Sequence, residues 1–354
     1  MIYRETGQYK TSYASDQQLF PILQDRVFVV ALLVFAFVVV PFTASEYLFR
    51  AILIPFLILA LAAIGLNILV GYCGQVSLGS GAFMAVGAYA AYNLALRIPD
   101  LNLVVVFLLA GAFSMLAGVL FGIPSLRIKG FYLAVATLAA QFFIDWLFGH
   151  VGWFTNNVAS GSVSAPPLVI FGRLFDTPAE KYLLVLAFAC TFALVARNLT
   201  RGAIGRSWMA TRDMDVAAEV IGIRPLRAKL SAFAVSSFII GVAGALWAFV
   251  YLEAWEVLAF DVNRSFQLLF MVIIGGLGSI LGSFLGAAFI VILPLVLNQM
   301  PGWIGIPLST ATISDIESMV FGSLIVFFLI AEPQGLARLW AIGKEKLRLW
   351  PFPH

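Results

Sequence analysis

The sequence predicts an all-α, polytopic integral membrane protein of about ten (8–10) transmembrane helices, some of them broken at Gly-rich segments. Three observations predict it. Hydrophobic residues make up 62% of the 354 and charged residues only 11%, too few charges to cover a globular surface in water. Mean hydropathy is +1.00, and apolar runs of span length recur along the chain. The apolar run Ser265 to Gln299 would measure about 52 Å as one helix against a hydrocarbon core of about 30 Å, so it must break.

In chain order, residues 1–26 are polar and of mixed charge, with no small-residue cleavage pattern, so no cleaved signal peptide is expected. Val27 to about Ala44 is a short first span and Phe49 to about Val70 a second. Gly71 to Gly87 (GYCGQVSLGSGAFMAVG) is Gly/Ser-rich and runs into a helix ending near Arg97. Leu101 to Gly122 is the fourth span, Pro124 to Gly130 a basic turn, and Phe131 to about Gly149 the fifth span. His150 to Glu180 has turn chemistry, with room for one short helix and no core of its own. Lys181 to about Ala196 and Ser231 to Leu252 flank a charged island, Arg201 to Leu230. A loop then holds Glu253, Glu256, Asp261 and Arg264. The long apolar run is expected to break at Gly275 to Gly282 (GGLGSILG). A loop with Pro301, Pro307, Asp315 and Glu317 precedes a last span, Ser318 to Ala331, and the tail is basic and Trp-containing, as befits a membrane surface.

Charge placement orients these spans. With ten crossings and a cytoplasmic amino terminus, sixteen of the 21 Lys and Arg residues fall inside: Arg4, Lys10, Arg26, Arg127, Lys129, seven between Arg197 and Lys229, and four in the tail. Arg50, Arg97, Arg173, Lys181 and Arg264 fall outside. Eight crossings with a re-entrant pair on the Gly-rich segments give the same sidedness. The expected layout is a cytoplasmic tail (1–26), a membrane domain (27–332) with a periplasmic loop (150–180) and a cytoplasmic loop (198–229), and a cytoplasmic tail (333–354). The net charge of +3 comes from these loops and is no nucleic-acid signal. Cys73 and Cys190 both lie in apolar segments and read as packing residues rather than a disulfide or metal site.

No Asp, Glu, Lys, Arg or His falls mid-span in this assignment, with Asp145 and His150 near the outer end of the fifth. A charge at the bilayer centre costs on the order of 3 kcal/mol and is usually retained for proton or ion coupling. Its absence argues against a proton-driven carrier. The island supplies another entry for energy: Asp215 can cap a short helix, Val216 to Ile221, ended by Gly222 and Pro225. Val216, Ala217, Val220 and Ile221 would share one face with Glu219 opposite, and so short a helix needs a partner or a lipid surface to cover that face.

Glycines elsewhere read in two ways. Gly278, Gly282 and Gly286 recur every four residues, a smooth stripe for close helix packing. Gly71, Gly74, Gly79 and Gly81, mixed with polar residues, suit a broken helix beside a path. Asn67, Gln75, Ser77, Thr137 and Gln141 are the path-lining candidates, and each can equally be an interhelical hydrogen-bonding group.

Four blocks carry a family resemblance: Gly65 to Ala91, Leu126 to Ala139, the stretch GRSWMATRDMDVAAEVIGIRPLRAKLSAFAVSSFIIGVAGALWAF, and Val272 to Phe289. In that order they resemble the branched-chain amino acid permease family of ABC importers (LivM type), over about residues 50 to 335. The resemblance implies a permease subunit that pairs with a homologous second permease as a heterodimer in the bacterial inner membrane. It also implies two cytosolic ATPases and a periplasmic solute-binding protein. Glu219 and Gly222 would mark the coupling helix, with Arg212, Asp213 and Asp215 around it, a mechanical knob rather than a chemical site. ATP and Mg would sit on the partner subunits, no cofactor is expected on this chain, and no phosphate-binding G-x-x-x-x-G-K-[ST] loop occurs in it. The segment WFTNNVASGSVSAPP departs from the Thr-Gly-Gly-like turn that relatives carry. Relatives serve branched-chain amino acids, other amino acids, amides, urea or small aromatic acids. The alternative reading is a stand-alone channel or secondary carrier for a small polar solute. A membrane-embedded enzyme finds no His, Cys or carboxylate cluster to support it.

Overall fold

Proline placement explains the first two helices of the computed structural model, which describes residues 11–12, 23–125, 132–158, 160–304, 310–331 and 334–349. Helix α1 runs through Leu23–Val34, a π turn Phe35–Val39, and Val40–Thr43. Helix α2 runs through Glu46–Leu48, a π turn Phe49–Leu53, Ile54–Asn67 and a second π turn, Ile68–Tyr72. Pro41 and Pro55 each stand at the start of the helical piece after a π turn. A proline lacks the N–H that would close the ordinary ladder, and a wider turn accommodates the loss.

The remaining helices are α3 (Ser80–Arg97), α4 (Leu103–Ser125), α5 (Tyr132–His150), α6 (Pro178–Arg201), α7 (Ala203–Asp213), α8 (Asp215–Val220) and α9 (Pro225–Leu246, extended by a π turn Trp247–Leu252). They continue as α10 (Val262–Gly275), α11 (Ile280–Ile304), α12 (Thr310–Ala331) and α13 (Gly335–Leu349). Among the described residues, eight helices are long and apolar enough to cross a membrane. Helices α3 and α12 add two further apolar rods to the bundle.

Helices α2 and α9 form its centre. Each is 83% buried along its most apolar stretch, against 28–39% for α4, α5, α6, α10 and α11. They run in opposite directions and head two similar series: a long helix ending in a π turn, an irregular segment, a shorter helix, then two more helices. Helix α9 packs on α3 and α4 of the first series, and α2 on α10 and α11 of the second. The two series therefore clasp each other as inverted halves. Small residues permit the clasp: a Cβ on Gly87 would strike the Gly241 carbonyl, one on Gly244 the Met84 backbone, and one on Gly118 the Ser237 side chain. Peripheral α1 is tied to the rest by the Tyr182 hydroxyl, which donates to the Ala36 carbonyl at 3.1 Å, and by Asp25, which accepts from Lys344 Nζ at 2.9 Å.

Several expectations are corrected. The loop after α5 holds no helix among its described residues. It holds the pair β2 (Val169–Ile170) with β3 (Arg173–Leu174), closed by Phe171 and Gly172 at positive φ, and β1 (Val163–Ser164), which pairs with β4 (Ala254–Trp255) from the segment after α9. Pro301 lies in α11, and Asp315 and Glu317 lie within α12, so that loop is shorter than its prolines suggest. Arg264 stands in the first turn of α10, not in a loop, because the chain after Glu253 dips into the bundle before α10 begins. The basic turn around Arg127 and Lys129, Pro307, and most of residues 1–26 lie outside the described residues.

Candidate coupling surface and interior polar nodes

The charged island forms a hooked structure at one end of the bundle. Helix α7 is anchored by Trp208, fully buried, whose Nε1 donates to Ser231 Oγ on α9 at 2.9 Å. At the far end of α7 the Arg212 Nη1 donates to the Gly71 carbonyl at 2.9 Å, and its guanidinium also holds Asp213 at 2.8 Å. Arg212 thus fastens the island to the last turn of α2. Met214 is extended, which turns the chain sharply into α8.

Asp215 does not cap α8 as expected. The preceding Met214 occupies the cap position without a side-chain bond, while Asp215 is the first helical residue and its carboxylate accepts from Lys229 Nζ at 2.6 Å. A basic residue within reach on α9 outcompetes the backbone for that carboxylate. The helix ends as expected at Gly222, with φ +90°, its N–H donated to the Glu219 carbonyl and the Ile223 N–H to Ala218. Of α8 only Ala218 is buried. Val216, Val220 and Ile221 are 69%, 82% and 73% exposed, with Met214 and Leu226 exposed beside them, and Ala217 and Glu219 are exposed too. A six-residue helix cannot hold itself together, so the Lys229 pair and the Gly222 turn fix its shape while its apolar surface stays uncovered.

A second feature lies directly behind the Arg212 anchor. Asn67 is buried on α2 and faces the break between α10 and α11. Its Nδ2 donates to the Ser279 carbonyl and to Ser283 Oγ, both at 2.9 Å, and lies 3.4 Å from the Gly276 carbonyl. Its Oδ1 accepts the Gly278 N–H at 2.9 Å. One side chain therefore supplies the polar partners that a helix break needs inside an apolar bundle. The break spans Gly276 to Ser279, within the stretch expected for it. Gly278, at φ +73°, belongs to the break and not to a helical stripe, whereas Gly282 and Gly286 lie on α11 against the backbone of α10.

A third node joins α3, α5 and α10. Helix α3 begins inside the bundle with no side chain of its own capping it. Its first N–H groups are met from other elements: Gly81 by Ser265 Oγ at 2.7 Å, Ala82 by Gln141 Oε1 at 2.6 Å, and Leu78 before them by Thr137 Oγ1 at 2.9 Å. Gln141 also accepts from Ser265 and donates to the Phe260 carbonyl at 2.9 Å and to Asp145 at 3.0 Å. Of the five path-lining candidates, Asn67, Ser77, Thr137 and Gln141 are buried with their polar atoms engaged, mainly by backbone. Gln75 is half-buried on the irregular segment between α2 and α3. Ser265, which sequence reasoning missed, resembles any other serine in an apolar run, and only its partners set it apart.

The comparisons with known proteins agree with this architecture. Residues 48–329, from α2 into α12, match the family described as the permease component of branched-chain amino acid transport systems. The high-affinity branched-chain amino acid transport system permease protein LivM of Escherichia coli (strain K12) is 29% identical over 341 residues, covering 89% of this chain and 75% of its own length. The protein of that name from Salmonella typhimurium is 30% identical with the same coverage. The probable branched-chain amino acid transport permease protein LivM of Methanocaldococcus jannaschii is 25% identical over 246 residues, 66% of this chain and 68% of its own. No solved structure matches. With the match running through both central helices, both inverted series and the charged island, the chain belongs to the branched-chain amino acid transport permease family and is a multi-pass membrane protein.

Proposed function

We propose that this chain is the permease subunit of an ATP-driven importer. With a second, homologous permease it would form the path for branched-chain or related amino acids delivered by a periplasmic binding protein. The island would face the cytoplasm of a bacterial inner-membrane complex and dock on two ATPase subunits that hold ATP and Mg, with both termini on the same side. The observation that carries this reading is the uncovered apolar surface of α8, presented by a helix too short to stand alone yet held in place by Asp215–Lys229 and Arg212–Gly71. Covering such a patch on a partner is favourable at about 25 cal/mol per Å² of apolar area. In this reading Glu219 and Gly222 mark the coupling helix. Arg212 passes its displacement to α2 and, through Asn67, to the α10–α11 break. Gln75 remains the proposed path-lining residue, and Asn67, Ser77, Thr137 and Gln141 act as interhelical hydrogen-bonding groups. A stand-alone channel or carrier has no use for α8.

The test uses the assembled transporter. Glu219→Arg and Val220→Asp should leave the membrane bundle folded, with thermal stability of the subunit changed by no more than about 0.5 kcal/mol. They should release the ATPase subunits or abolish uptake. Normal uptake together with normal ATPase retention in both variants would sink the docking role of α8.

A further inference from the structure

Arg264 is an arginine that the fold carries to mid-depth and leaves without an ion-pair partner among the described residues. Its neighbour in sequence, Ser265, bonds Gln141 at 3.0 Å, and Gln141 lies midway along α5. The first turn of α10 is therefore level with the middle of a membrane-crossing helix. Arg264 is partly buried, with its guanidinium 4.6 Å from the ring centroid of Trp247 on α9. Its Nη1 donates to Gln267 Oε1 at 2.6 Å, and its Nε is buried with no hydrogen-bond partner.

The nearest acid in the chain does not neutralise it by contact. Asp261 Oδ1 accepts the Arg264 backbone N–H at 3.2 Å and Oδ2 accepts from Asn263 Nδ2 at 2.7 Å, so both oxygens serve the start of α10. No carboxylate of the described residues lies within ion-pair distance of the Arg264 guanidinium. An arginine cannot shed its proton to escape this cost, and so it cannot serve as a proton relay. An intramembrane cation is retained where a partner anion visits it. Asn263 is exposed, and so is Tyr251, whose ring lies tilted 4.4 Å from that of Trp247, so the place opens away from the packed interior.

We infer that Arg264 is the permease's recognition group for the carboxylate of the travelling amino acid, with Gln267 and Trp247 holding the guanidinium flat for it. This rests on the import reading above. A planar guanidinium can meet a carboxylate with two parallel N–H donors, a geometry that neither Lys nor Gln reproduces.

The experiment measures uptake by the complete importer in proteoliposomes, with wild type, Arg264→Lys and Arg264→Gln, for a branched-chain amino acid and its carboxamide. The binding protein is common to all, so any change in the acid-to-amide ratio belongs to the permease. Arg264→Gln should lower that ratio about tenfold to a hundredfold, with Arg264→Lys between it and wild type. An unchanged ratio in both variants overturns the assignment while leaving the import reading intact. Loss of the second permease from both variants also overturns it, assigning Arg264 to the subunit interface. If wild type carries only neutral solutes, the import reading fails first and the assignment with it.

Discussion

The α8 hook and the Asn67 node stand a few residues apart through Arg212, yet they are held together by opposite means. The hook is exposed, its one helix six residues long, and it keeps its shape through an ion pair and a glycine turn. The node is buried and keeps its shape through hydrogen bonds that converge on one amide. In an apolar interior an unmade hydrogen bond is expensive, whereas at a wet surface an ion pair contributes little. The hook can therefore be reshaped cheaply by a partner, while the node resists change. The arrangement suits a lever whose handle adapts and whose bearing does not.

Three substitutions sharpen that contrast. The largest effect is expected at the node: Asn67→Leu leaves the Gly278 N–H and the carbonyl and hydroxyl groups around it unpaired, at about 1–3 kcal/mol each, so the loss should exceed about 3 kcal/mol. Thermal unfolding of the purified subunit in detergent checks this, and wild-type stability would show that water replaces the amide. Next comes Gly222→Ala. No atom lies within 4 Å of the added Cβ, so the cost is conformational only, about 1–2 kcal/mol at this positive φ, and confined to the hook. Hydrogen exchange should rise across residues 215–224 while the α2 and α9 amides stay protected. The smallest effect is expected from Lys229→Met: Lys229 is 14% and Asp215 36% exposed, the apolar side chain keeps the packing of the lysine stem, and losing the pair should cost about 1 kcal/mol. That variant should bind the ATPase subunits more weakly without a measurable shift in unfolding temperature.

Much of the architecture was legible before any coordinates. An apolar run too long for one helix must break, and the break lies inside the Gly-rich stretch expected to contain it. Gly222 ends α8 because few other residues accept its φ. The roles of polar residues inside spans were not legible. Asn67 finds its partners 209 to 216 positions away and Gln141, Asp145 apart, 59 to 124, and periodicity carries no information across such separations. Residue type says that a buried amide needs partners, and only the packing says which. Asp215 was misassigned for a related reason. Its position before an apolar run fits a cap, but Lys229 lies fourteen residues on, one turn into the next helix, and charge attraction decides the competition. Arg264 hid in an expected loop because an extended segment that dips into a membrane has the same composition as one that stays outside it.

The glycine contacts between α3, α4 and α9 carry a mechanical corollary. Gly87 against Gly241, Met84 against Gly244 and Gly118 against Ser237 leave no gap into which a sliding ridge could move. Three helices meshed this closely behave as one plank. Motion of that plank would then be as one body, taken up at its edges and not within it.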